Sequence, residues 1–197
     1  MQHLYPGVVW RKPIPGKKVV YLTFDDGPIP EATPLVLDIL AQYDVKATFF
    51  MVGDNIRKYP QIYDRVLKEG HGVGNHTFHH SKGLRLTTDE YMTDVHMFSK
   101  VHAQPCLLFR PPYGRIKPSQ KKALLNLGFQ IILWDVLTHD YNPHYSPERM
   151  FDIVRRYTRN GSIINFHDSV KSADRLSKTL SNVIPWLKKE GYELRLM

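Results

Sequence analysis

Two adjacent aspartates, Asp25 and Asp26, close the run Val19-Val20-Tyr21-Leu22-Thr23-Phe24 and are followed by Gly27-Pro28. Neighbouring like charges raise the cost of ionising both in a dry site, so each needs its own partner or a shared cation. The plain alternative is a solvated turn, which Asp and Gly-Pro mark widely. The segment Asn75-His76-Thr77-Phe78-His79-His80 favours the cation. His76 and His80 stand four residues apart, a spacing that can bring two imidazoles onto one ion. A catalytic zinc takes about three protein ligands and keeps a position open for water, so two histidines call for a carboxylate. One of the two aspartates can supply it and leave the other as a base on the bound water, whose pKa the ion lowers toward ~7.

The same spacing occurs in the zinc-protease pattern H-E-x-x-H, but Thr77 stands where that pattern needs its glutamate, so the protease reading fails. Hydrolysis also needs an acid for the leaving group, and His167 is the candidate; the competing reading is a satisfied histidine beside Asp168. Arg110 can orient the base and hold its charge by opposite sign, or cap strand ends, and the two roles are compatible. His3, His96, His102 and His144 read as ordinary surface or core residues, and His79 is expected to point away from the His76/His80 pair. Cys106, in an apolar run, reads as core packing, and a single cysteine forms no internal disulfide.

These groups must be carried by regular elements. The pattern predicts strands at 19–23, 45–52, 71–75, 107–110, 130–136, 162–166 and 192–196. Between them it predicts helices at 33–43 (Thr33 as N-cap, Pro34 at N1), 60–69 (closed by Gly70) and about 88–101, opened by the capping box Thr87-x-x-Glu90. Further helices are predicted at 118–127 (stopped by Gly128), 147–159 and 173–189. Alternating strands and helices argue for parallel βαβ units in an α/β fold, either an open doubly wound sheet or a closed barrel. In both, ligands gather at the carboxyl ends of the strands. Asp25 and Asp26, His76 and His80, Arg110 and Tyr113, Asp135 and Asp140, and His167-Asp168 all fall there.

The 197 residues suit one domain, 1–197, and 42% hydrophobic with 23% charged residues excludes global disorder. The formal charge of +8 is spread over scattered basic pairs, which reads as a solvated basic surface; no nucleic-acid-binding signature appears, so no nucleic-acid partner is expected. No apolar run reaches membrane-spanning length and no signal peptide is visible, so the expected location is cytoplasmic unless a leader has been removed. Nothing in the sequence fixes an oligomeric state.

In these motifs the chain resembles the polysaccharide deacetylases with the NodB homology domain, carbohydrate esterase family 4. Thr23-Phe24-Asp25-Asp26-Gly27, His76-Thr77-Phe78-His79-His80 and Arg110-Pro111-Pro112-Tyr113-Gly114 match that family's first three motifs in order. The resemblance spans Thr23 to His167 and implies a distorted (β/α) barrel. It implies Asp25 as base on a metal-bound water, Asp26, His76 and His80 as metal ligands, and Arg110 as the residue that orients the base. It further implies the Tyr113 backbone N–H as an oxyanion donor, and His167 as acid with its pKa raised by Asp140. The cofactor is a divalent ion, zinc by default with cobalt or another first-row metal accepted. The partner is an acetylated oligo- or polysaccharide, N- or O-linked.

Two positions depart from the family pattern. Tyr141 replaces a tryptophan and Asn165 a leucine that line the acetyl pocket. Both are expected to touch substrate in a more polar or differently shaped pocket. Restoring the family residues with Tyr141→Trp and Asn165→Leu together is expected to raise activity on ordinary acetylated sugars. The competing expectation is a metal- or sugar-binding pseudo-enzyme of the same fold with little turnover. A paired-carboxylate glycosidase ranks below these, since its chemistry has no use for metal-spaced histidines.

Overall fold

The computed structural model describes residues 6–197; His3 and the rest of segment 1–5 lie outside the described residues. Among the described residues nine strands form one sheet: β1 (Val8–Val9), β2 (Val19–Asp25), β3 (Thr48–Met51), β4 (Gly72–Asn75), β5 (Leu108–Phe109), β6 (Gln130–Ile132), β7 (Val136–Leu137), β8 (Ser162–His167) and β9 (Glu193–Leu194). Their order is β1-β6-β5-β4-β3-β2-β8-β7, with β9 against β2, and the strand pairings are parallel. The sheet curls until Arg11, just past β1, bridges to Ser162 at the start of β8. The result is a half-barrel of parallel strands with helices outside, the (β/α) barrel alternative of the two left open by the alternation pattern.

The helices are α1 (Thr33–Gln42), α2 (Gly53–Lys58), α3 (Pro60–Lys68), α4 (Thr88–Met97), α5 (Pro118–Asn126), α6 (Pro147–Tyr157) and α7 (Ala173–Lys189). The capping box at Thr87 and Glu90 is present. Gly70 (φ 78°) and Gly128 (φ 83°) end their helices in the left-handed region that glycine enters without steric cost. Thr33 is not the cap of α1: Ala32 holds that position, and the Thr33 hydroxyl is drawn to Asp168 at 2.5 Å. Strand 130–136 divides into β6 and β7, and β1 and α2 are additions to the expected elements. Among the described residues no helix is long and apolar enough to cross a membrane.

Strand alternation decides what faces inward. In β2 and β8, Val20, Leu22, Phe24, Ile164 and Phe166 point outward into the large cluster under the helices, where Phe24 stacks on Phe49 (5.1 Å) and Phe166 (5.6 Å). Burying one such phenylalanine contributes up to about 3 kcal/mol. Val19, Tyr21, Phe50, Ile132 and Ile163 fill the barrel floor. Further along the same inward face come Thr23, Asp25, Asn165 and His167, with Thr23 paired to Asn165 and Asp25 to His167 in the ladder. An apolar floor thus carries a polar layer at the carboxyl ends of the strands.

Candidate active site

The polar layer is centred on Arg110, which leaves β5 and is fully buried. Its Nη1 donates to Asp25 Oδ1 (2.6 Å), Asn165 Oδ1 (2.6 Å) and Thr23 Oγ1 (2.9 Å). Its Nε and Nη2 donate to the carbonyls of Ile132 and Leu133, each at 3.2 Å, and its guanidinium lies 4.0 Å over the Phe50 ring. A buried cation is tolerated only when its donors are matched in this way. Asp25 is buried too, and its second oxygen accepts from Asn165 Nδ2 at 3.0 Å.

Asn165 therefore does not stand where the sequence pattern places it. It is expected to line an acyl pocket, yet it is fully buried behind Asp25, saturated by Asp25, Arg110 and Thr23. Its residue type explains the difference, because an amide beside an ion pair has both a donor and an acceptor to satisfy. Its cross-strand neighbour Leu137 and Trp134 line the cleft instead. Tyr141 does line the cleft, half-exposed, with its ring edge-on to His167 at 5.2 Å and its hydroxyl 3.1 Å from His139 Nδ1.

Asp26, His76 and His80 converge, with one donor atom of each lying within 4.8 Å of the others. Asp26 Oδ1 is 3.2 Å from His80 Nε2 and 3.7 Å from His76 Nε2. His76 Nδ1 donates to the Arg110 carbonyl at 2.7 Å, so its Nε2 lone pair faces Asp26. Burial holds its pKa down to about 4, keeping it neutral at pH 7. Burial opposes ionisation of Asp26, but the His80 hydrogen bond and the nearby imidazoles overcome that and lower its pKa to about 2. A carboxylate and an imidazole lone pair turned toward each other suit a divalent cation, and a carbonyl that fixes the imidazole through its other nitrogen is the usual companion. The donor set fits the ion that the sequence motif implies. Thr77, in the position of a protease glutamate, is buried with its hydroxyl accepting from Ser81 N, and His79 turns to Asp94 at 2.6 Å.

Opposite this cluster, His167 Nδ1 lies 2.7 Å from Asp140 Oδ1, and its backbone N–H donates to Asp140 Oδ2 at 2.6 Å. Burial disfavours the imidazolium, but the hydrogen bond and charge of Asp140, with the fields of Asp25 and Asp26, outweigh it and raise the His167 pKa to about 9. Asp168 points the other way, as strand neighbours must, and accepts from Gly27 N (3.1 Å) and Thr33. Asp135 is outside the cluster, paired with Arg159 at 2.8 Å. It sits in the break between β6 and β7, where its carboxylate also accepts from Ser162 Oγ at 2.7 Å.

Asp26 (φ 87°), His80 (φ 55°) and Tyr113 (φ 61°) all adopt left-handed backbone. Non-glycine residues there cost roughly 1–3 kcal/mol each and persist where surrounding structure holds them. Asn55 Nδ2 bonds the Asp26 carbonyl (2.8 Å), and Arg175 Nη2 bonds that of Asp140 (2.9 Å). Neither anchor is visible in the sequence, since no local spacing signals a contact made so far along the chain. Tyr113 is exposed, its ring 4.8 Å from that of His80. The Asp26/His76/His80 cluster, Asp25, Tyr113, Tyr141 and His167 line an open cleft of about 1110 Å³. That is larger than the ~300–1000 Å³ of most small-molecule pockets and suits an oligomer.

The sequence profile of the polysaccharide deacetylase family matches residues 12–132. A peptidoglycan-N-acetylglucosamine deacetylase of Bacillus cereus is 36% identical over 191 residues, covering 94% of this chain and 88% of that protein. The crystal structure of a peptidoglycan N-acetylglucosamine deacetylase in complex with 4-naphthalen-1-yl-N-oxidanyl-benzamide superposes with a TM-score of 0.92 at 32% identity, covering 100% of this chain and 93% of that one. A CE4 family pseudoenzyme from Bacillus anthracis superposes at 0.83 with 26% identity, covering 100% of this chain and 69% of that one.

Proposed function

The chain belongs to the polysaccharide deacetylase family, and from that premise we propose that it is a divalent-metal-dependent hydrolase removing N-acetyl groups from an amino-sugar glycan of the peptidoglycan type. The observation that carries this reading is the meeting, in one cleft, of the Asp26/His76/His80 cluster with the Asp25–Arg110 and His167–Asp140 pairs.

Asp26, His76 and His80 would hold the ion, and their two-imidazole, one-carboxylate set favours zinc. When bound, the cation supplies Lewis acidity, polarising the acyl oxygen and acidifying the attacking water toward a pKa of about 7.

The rest is done by this chain's own residues. Asp25, ion-paired with Arg110 and held by Asn165, takes the proton of the attacking water on its carboxylate. The Tyr113 backbone N–H donates to the oxygen that gains negative charge. His167, oriented through Nδ1 by Asp140, gives a proton from Nε2 to the departing nitrogen. Water adds to the carbonyl carbon and the C–N bond breaks, leaving acetate and a free amino sugar. The exposed rings of Tyr113 and Tyr141 offer apolar faces to the sugars at the cleft mouth.

A pseudoenzyme shares the fold, so fold alone does not separate turnover from binding. The intact pairs around Asp25 and His167 support turnover. The test is acetate release from N-acetylated and O-acetylated saccharides by zinc-loaded protein, beside a chelated control and Asp25→Asn. Release abolished in both controls is expected; no release from any glycan with metal bound would favour the binding-module reading.

A further inference from the structure

Asp140 is fully buried against His167, and the residues on either side of it meet each other: His139 Nδ1 lies 3.1 Å from the Tyr141 hydroxyl. His139 has left-handed backbone (φ 58°), which a non-glycine residue keeps only where its surroundings enforce it. Its carbonyl accepts from Asn142 N at 2.9 Å, and Arg175 donates to the carbonyls of Asp140 (2.9 Å), Asn142 (2.5 Å) and Tyr145 (3.0 Å). The Tyr145 ring stands 5.3 Å from that of His139, and the Arg149 guanidinium lies 4.0 Å over Tyr145. A row of side chains thus runs from Arg149 in the first turn of α6, through Tyr145, His139 and Tyr141, to the proposed acid.

Tyr141 lines the cleft and His139 does not. The Tyr141 ring is 41% exposed, so packing alone does not fix it, and the contact with His139 is its only side-chain hydrogen bond among the described residues. That ring meets His167 edge-on, at 5.2 Å and an interplanar angle of 88°. Asp140 holds one edge of the imidazole through Nδ1, but the terminal torsion of a histidine is broad and one bond leaves it room to rock. The Tyr141 ring closes off that motion. Burial, with the charges of Arg149 and His167, outweighs the field of Asp140 and holds the His139 pKa below the ordinary imidazole value. The tether therefore brings no second cation beside the His167 imidazolium at neutral pH.

We propose that His139 is a positioning residue for the deacetylation: its bond to the Tyr141 hydroxyl holds the Tyr141 ring against His167, so that the acid presents Nε2 to the departing nitrogen. This rests on the deacetylase reading and adds to it a residue that lies outside the cleft and touches no substrate.

The experiment compares the zinc-loaded wild type with Tyr141→Phe, His139→Ala, the two combined, and His139→Asn. Tyr141→Phe removes one oxygen from an exposed side chain and keeps the ring, while His139→Asn keeps a polar atom at the δ position and suits left-handed backbone. On an N-acetylated saccharide, each of the first two is expected to lower kcat about fivefold with KM little changed. The double variant should lose no more than either alone, because both delete the same bond, and His139→Asn should recover most of the loss. NMR of histidine-labelled protein reads the same event without turnover. The His167 ring signals should move alike in Tyr141→Phe and His139→Ala and return in His139→Asn. Losses that multiply, an unchanged kcat in either single variant, a loss carried by KM alone, or His167 signals that stay put would overturn the proposal. No acetate from the wild type would instead overturn the deacetylase reading, and the ring signals would then decide by themselves whether the tether holds.

Discussion

Asn165 Nδ2 donates to Asp25 Oδ2 at 3.0 Å while Asn165 Oδ1 accepts from Arg110 Nη1 at 2.6 Å. The arginine can only donate, so the amide has one orientation, and both oxygens of Asp25 are held by fixed donors. The side chain expected to shape the acyl pocket instead positions the proposed base.

The consequence for engineering reverses the expectation drawn from the family pattern. Asn165→Leu would take one acceptor from Arg110 Nη1, which keeps Asp25 and Thr23, and would free one oxygen of Asp25, at a stability cost of about 1–3 kcal/mol. We expect kcat to fall at least about tenfold with KM little changed, because the lost bond acts on the base and not on the sugar. Steady-state kinetics with a thermal melt check this, and a gain in kcat from Asn165→Leu, alone or with Tyr141→Trp, would contradict it.

Arg110 should be the most damaging single truncation in the polar layer. Replacing it with Met leaves Asp25 buried without its countercharge, a loss of ~3–5 kcal/mol for a pair of this kind. With typical stabilities of about 5–15 kcal/mol, the variant should melt far below the wild type. A melting temperature within a degree or two of wild type would mean that the ion pair adds little.

The pH dependence follows from His167, whose pKa of about 9 lies above the ordinary imidazole value of ~6.5. The proton that it donates is present below its pKa, so activity should fall on the alkaline side. A bound cation opposes the imidazolium and places that limb below 9 in the loaded enzyme. Asp140→Asn removes the charge that holds the proton and should move the limb further toward neutrality. For stability, a raised pKa contributes fully below ~6.5 and is lost as pH rises through about 9. Melts of the chelated protein across that window should therefore decline for the wild type and flatten for Asp140→Asn; a limb unmoved in the variant would assign the titration elsewhere.

The strand ends are legible in the sequence because hydrophobic runs stop where chemistry begins, as at Phe24-Asp25 and Phe166-His167. The His76/His80 spacing likewise carries its own geometry. The orientation of Asn165 is not legible, since its partners lie 140 residues away at Asp25 and 55 away at Arg110. Thr33 reads as a cap because local propensity says nothing of Asp168, 135 residues on, which claims its hydroxyl. Val8–Val9 is too short to show periodicity, and only its pairing with Ile131 and Ile132 makes it a strand. The left-handed backbone at Asp26, His80 and Tyr113 leaves no trace in residue type, because none of the three is glycine.

The most direct measurement is a zinc titration of the chelated protein, following acetate release and bound metal together. The account predicts that activity returns in proportion to zinc and saturates at one equivalent, while His76→Ala neither holds that equivalent nor recovers. Full activity in the chelated protein, or undiminished zinc-dependent activity in His76→Ala, would contradict a catalytic metal at Asp26, His76 and His80.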